Sequence, residues 1–170
     1  MMHFFLWLEQ LPFCIWIRES DSIWAFPMFL FMHTLGMSMI AGVSGVVDIA
    51  ILGFWPSIPL KPLERLYPVM WMGFWINAVT GTVLMVADAS TKLMNPVFYI
   101  KMCFVFSGVA LLVIMRKKIF GAPELAQGLL PRNAKRLAWL SLVCWLGAIT
   151  AGRLLAYLGP VSGLTGISNH

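Results

Sequence analysis

The chain has 170 residues, of which 60% are hydrophobic, 14% aromatic and only 11% charged, with a mean hydropathy of +0.84. Soluble domains carry roughly 25% charged residues, so this composition argues against a soluble core and for an integral membrane protein. The net charge of +5 is not a nucleic-acid signal, because membrane proteins retain Lys and Arg in cytoplasmic loops.

Residues 1–17 place Phe4, Phe5, Trp7, Leu8, Leu11, Ile15 and Trp16 beside Glu9 and Gln10. That pattern predicts an amphipathic helix lying in the membrane interface and broken by Pro12. It lacks the basic region and small-residue cleavage site of a signal peptide, so it is expected to remain in the mature protein. The first span is predicted from about Ile23 to Leu52, with His33 and Asp48 its only ionisable groups. At 1.5 Å per residue it measures about 45 Å and must tilt, bend or project. A second, uncharged span runs from about Leu66 to Ala87, with Pro68 in its first turn. The third, about Pro96 to Met115, carries Lys101 and stops at Arg116-Lys117-Lys118; a short helix is expected from Pro123 in the loop that follows. The fourth, about Leu137 to Leu158, is interrupted by Arg153, and the tail 159–170 is expected to be mobile. The fold class expected is all-α: one membrane domain, a left-handed bundle of four transmembrane helices.

Orientation follows from the basic residues. Lys61, Arg65, Arg116, Lys117, Lys118, Arg132, Lys135 and Arg136 fall on one side with three acidic residues; Arg18, Lys92, Lys101 and Arg153 fall on the other with four. The richer side is cytoplasmic, which puts both termini outside.

Small residues recur four apart, at Ser38 and Gly42, Ala41 and Gly45, Gly73, Asn77 and Gly81, and Ala148 and Gly152. Such faces let helix backbones approach closely, which is what holds helices together in lipid. The ionisable residues within the spans need a reason to be there. His33 and Asn77 lie about 14–16 Å from the outer ends of their helices, with Lys101 and Arg153 about 8 Å down theirs. On a straight helix Met37, Ile40 and Ser44 share the face of His33. Lys101 and Arg153 either snorkel to the interface or face the bundle, pairing with Asp88 or Asp21 or holding an anionic ligand. Arg153 follows Thr150-Ala151-Gly152, so small neighbours leave room for a guanidinium to grip a carboxylate with two bonds.

His33 can be satisfied by a carbonyl or by Asn77 of a neighbouring helix. Alternatively it ligates haem iron, with Lys101 and Arg153 at the propionates, or relays protons. His3 and His170 lie outside the spans, so a bis-histidine haem site within one chain is not expected. Met37-Ser38-Met39 and Met70-Trp71-Met72 offer thioethers, but helical residues two apart point about 200° apart and cannot share a copper ion. Cys14, Cys103 and Cys144 form no CxxC pair and read as buried apolar thiols. No dinucleotide, phosphate-loop, zinc-protease or nucleophile motif supports an enzyme.

The stretches Arg18-Glu19-Ser20, Trp24-Ala25-Phe26-Pro27, His33-Thr34 with Gly36, Asn77-Ala78, Thr80-Gly81, Asp88-Ala89, Thr91-Lys92, Asn95-Pro96, Lys101-Met102 and Thr150-Ala151-Gly152-Arg153-Leu154 resemble a family of small bacterial inner-membrane proteins without an assigned activity. The resemblance implies a four-span protein of that membrane. A weaker similarity, a His in the first span and a Lys opening the third, links the chain to copper-resistance membrane proteins and membrane b-type cytochromes.

The leading expectation is a non-enzymatic membrane module, an accessory subunit or small-ligand binder, working as a homo-oligomer or within a larger complex. Its outward pocket is bordered by His33, Asn77, Asp88, Lys101 and Arg153, with Lys92 and Arg18 close above. A haem-b electron carrier and a small transporter for copper or an organic anion are the alternatives. Reporter fusions test the topology: a fusion after Lys118 should report cytoplasm and one at the C-terminus the opposite side. Cytoplasmic signals from both would refute it.

Overall fold

Proline marks where helices begin in this chain. Pro12, Pro27, Pro68, Pro96 and Pro123 each occupy a first turn, where a missing N–H leaves no helical bond unmade. At Pro96 the Asn95 side chain adds a cap, accepting from the Val97 amide at 3.0 Å. The computed structural model describes residues 10–20, 22–126 and 129–157. Its helices are α1 (Pro12–Glu19), α2 (Phe26–Met37), α3 (Val43–Leu52), α4 (Tyr67–Val86), α5 (Ala89–Met94), α6 (Pro96–Met115), α7 (Pro123–Ala126) and α8 (Ala134–Tyr157). A wide π-helical turn, Ser38–Gly42, joins α2 to α3; a tighter 3₁₀ turn, Lys61–Leu66, leads into α4; a second π turn, Arg116–Phe120, prolongs α6.

Four continuous runs, Phe26–Leu52, Lys61–Val86, Pro96–Phe120 and Ala134–Leu155, are long and apolar enough to cross a membrane. Pro12 opens α1 after an extended Leu11, and α1 buries Cys14 and Ile17 and exposes Phe13 and Trp16; residues 1–9 of the expected interfacial helix lie outside the described residues. One expectation needs correction. The third run does not stop at Met115, because Lys and Arg are good helix formers and the π turn carries on to bury Ile119 and Phe120. The tail 159–170 and Asp21 also lie outside the described residues.

Helix packing follows the glycines. A Cβ at Gly36 would stand 2.7 Å from the Asn77 backbone nitrogen and 2.8 Å from the Gly73 oxygen; one at Gly73 would stand 2.6 Å from the Met39 Cβ. The backbones of α2 and α4 therefore touch, as small-residue faces permit. Helices α6 and α8 instead fit rings over glycines, with the Trp145 indole 3.1 Å from a Cβ at Gly108 and the Phe104 ring 2.8 Å from one at Gly147. Not every small-residue spacing is a contact: Ser38 and Gly42 are both exposed, and nothing lies within 4 Å of a Cβ at Gly42.

The link between the two helix pairs is α3, which packs on α8. The π turn makes this possible, since its i→i+5 bonding adds a residue to one turn and re-aims the helix below it. Ser44 consequently leaves the face of His33, where a straight helix would put it, and meets Ser141 of α8 at 3.3 Å. Gly53 ends α3 with φ +92°, which suits glycine; its amide bonds the Ala50 carbonyl and the Phe54 amide bonds that of Ile49. The apolar core gathers at this end, with Val47, Ile51, Tyr67, Met115, Ile119 and Phe120 nearly or fully buried. The Tyr67 and Phe120 rings meet edge-on at 5.5 Å, and the Arg116 guanidinium lies 5.6 Å over the Tyr67 ring.

Gly73→Ala should lower stability by about 1–3 kcal/mol, because its Cβ has no room between α4 and Met39. Gly42→Ala should be neutral or stabilising by up to about 1 kcal/mol. Thermal unfolding of both variants in mild detergent checks the contrast, and equal effects would contradict the α2–α4 contact.

Candidate functional site

His33 reaches α4 across the gap that the glycines leave. Its Nδ1 lies 3.1 Å from the Asn77 carbonyl oxygen and 3.3 Å from the Thr80 hydroxyl. A carbonyl can only accept, so Nδ1 carries the proton and Nε2 presents a lone pair. Thr80 donates to the Ile76 carbonyl at 2.6 Å, and the Asn77 amide donates to the His33 carbonyl at 2.9 Å. The two helices thus exchange bonds in both directions at one level. The ring lies against Gly81, where a Cβ would come within 2.8 Å of Cε1. The bond between His33 and Asn77 anticipated from their depths is present; Thr80 and Gly81 complete the seat.

The cations at this end differ in what they do. The Lys92 ammonium donates to the Leu84 carbonyl at 2.6 Å, closing the end of α4, and stands 3.9 Å from the Asp88 carboxylate. Burial pushes Lys92 below the ordinary lysine pKa, while Asp88 opposes that shift. Lys101 is half-buried and crosses from α6 to α8; its Cε and Nζ lie 3.6 and 3.8 Å from where a Cβ of Gly152 would be. Among the described residues its ammonium has no hydrogen bond or ion pair, although Lys92 and Lys101 both stand within electrostatic reach of the imidazole. Arg153, next to Gly152, is exposed. Arg18 lies in α1.

The structure therefore joins His33 directly to Asn77, Lys92 to Asp88, and Lys101 to the glycine beside Arg153. The capping role of Lys92 has no signature in the sequence beyond a Lys shortly past a helix end. The signal for the imidazole seat was the Gly73-Asn77-Gly81 spacing, and for the Lys101 path the Ala148-Gly152 spacing. No group of three or more His, Cys, Asp or Glu side chains gathers among the described residues. Met70 is buried and Met72 exposed, so that thioether pair is split between core and surface. A groove of about 370 Å³ on α6 and α8 is lined by Tyr99, Ile100, Cys103, Phe104, Ser107 and Cys144, and by none of the residues above.

A scan against protein-family models finds no match, and searches of curated proteins and of solved structures find none either.

His33→Ala should cost about 1 kcal/mol, the usual scale of a polar contact between membrane helices. Gly81→Ala should destabilise the native chain, because the new methyl displaces the imidazole, and should be tolerated once His33 is Ala. A double-mutant cycle read by thermal unfolding checks this; additive effects would mean that ring and glycine do not touch.

Proposed function

We propose that the protein is a non-catalytic four-span module of the bacterial inner membrane, with both termini on the periplasmic side. It acts as an accessory subunit or as a small-ligand binder, alone, as a homo-oligomer or within a larger complex. At its periplasmic end it holds a small anion. The observation that carries this reading is Lys101: an ammonium half-buried between α6 and α8, without a carboxylate among the described residues to balance it. An unbalanced charge at that depth is costly and is retained for a purpose. Nearby, Nε2 of His33 offers an acceptor, so the ligand that fits brings an anionic oxygen and a hydrogen to donate. Arg153 stands exposed beside Gly152, where a planar guanidinium can meet a carboxylate with two bonds. Asn77 holds the imidazole, and Lys92 pairs with Asp88. Lipid contact is supported by the third span, of which only 11% is buried although its hydropathy is 2.3.

A second reading, haem b with His33 as an axial ligand, is favoured by one observation. Histidines that bind metal usually donate their other ring N–H to a carbonyl, as Nδ1 does to Asn77. Among the described residues His33 is the only histidine, so the second axial position falls to another residue type, another subunit or none.

Purified protein in mild detergent, unfolded thermally with succinate, citrate or inorganic phosphate against chloride at equal ionic strength, tests the anion site. At a hundredfold excess over Kd a bound anion adds about 2.7 kcal/mol. The stabilisation should vanish in Lys101→Gln and persist in Lys117→Gln at the opposite end. No stabilisation by any of the three, or an undiminished one in Lys101→Gln, overturns the reading. A Soret band in the same preparation that is lost in His33→Ala would establish the haem reading in its place.

A further inference from the structure

The opposite half of the bundle holds a polar group that the anion site does not use. Asp48 is fully buried between α3 and α8. Its Oδ2 has the Ser44 hydroxyl at 3.4 Å, and that hydroxyl is 3.3 Å from the hydroxyl of Ser141, also fully buried. The other carboxylate oxygen, Oδ1, is buried with no hydrogen-bond partner. Among the described residues no Lys, Arg or His forms an ion pair with Asp48, and Arg116 lies over the Tyr67 ring instead.

A carboxylate taken out of water without a counter-charge is strongly unfavourable. Two serines on two helices converge on this one, with hydrogen bonds at the long end of the range. Strong O–H···O bonds span about 2.5–3.0 Å. Oxygens about 2.4 Å from an ion of calcium's size stand about 3.4 Å apart along an octahedral edge. The Ser44–Asp48 and Ser44–Ser141 separations, 3.4 and 3.3 Å, match that edge. Sodium has nearly the same radius as calcium, and its single charge equals that of one carboxylate, whereas a divalent ion would leave a charge unbalanced in the apolar core. The donors are hard oxygens, the class that such ions take.

We propose that Asp48, Ser44 and Ser141 form a binding site for a small monovalent cation, sodium, held between the first and fourth spans, with Oδ1 of Asp48 as its unshared ligand. The site is independent of Lys101, at the other end of the bundle.

The test is thermal unfolding of the full chain in detergent and choline chloride, with sodium or potassium chloride added at constant ionic strength. Sodium should raise the unfolding temperature by several degrees and saturate, and potassium, whose larger radius spreads the oxygens, should not. Asp48→Asn removes the charge and should abolish the sodium response. Ser141→Ala leaves the carboxylate in place and should shift the sodium midpoint at least tenfold higher, which keeps the test open should Asp48→Asn misfold. Equal responses to sodium and potassium, a sodium response unchanged in both variants, or none in the native chain would overturn the proposal. So would a carboxylic-acid C=O infrared band that persists in saturating sodium and is lost in Asp48→Asn, since it would identify a permanently protonated carboxyl.

Discussion

Backbone contact between α2 and α4 at Gly36 and Gly73 sets the geometry of everything near it. With the chains this close there is no space for an imidazole between them except over another glycine, and Gly81 supplies it two turns along. The ring then falls level with the Asn77 carbonyl, and the tautomer follows from the acceptor it meets. A larger residue at any of the three glycines would separate the helices and release His33 from its seat. Packing and polar chemistry at this end are one arrangement seen from two sides.

The α6–α8 pair solves the same problem differently. Indole and phenyl rings lie over Gly108 and Gly147, one from each helix, so the contact is reciprocal and the rings fill what the glycines vacate. Toward the Arg153 end of α8 the sequence turns small again, and Lys101 lies across Gly152. A lysine stem is itself apolar and can cover such a surface while its head stays polar. Because α2 packs mainly on α4 and α6 on α8, the strongest bridge between the pairs is α3, far from His33. The buried apolar cluster is concentrated there as well.

Four long apolar helices were legible because length and hydropathy report them directly, and Leu52 was legible as an end because Gly53 follows it. Other boundaries were not. The charges at Arg116, Lys117 and Lys118 look like a stop, yet a charged side chain leaves the backbone free to wind on until Gly121. Proline at a first turn starts a helix as readily as it ends one, and Pro12 starts α1. For the site, His33 and Asn77 were readable as a pair because depth along a helix can be counted. A constant 100° step puts Ser44 on the face of His33, and the wide turn at 38–42 breaks that step. Lys92 could not be recognised as the partner of Leu84, since the carbonyl it satisfies belongs to the end of a helix whose last turn the sequence does not announce.

That wide turn joins two halves of one span that answer to different neighbours. Above it the helix is keyed to α4, below it to α8, and the phase between them is held by one residue's worth of extra winding. Unwinding the surplus residue would swing Asp48 through roughly a quarter-turn relative to His33. The angular offset between the two polar centres of the first span is therefore stored in its main chain, in five residues from Ser38 to Gly42.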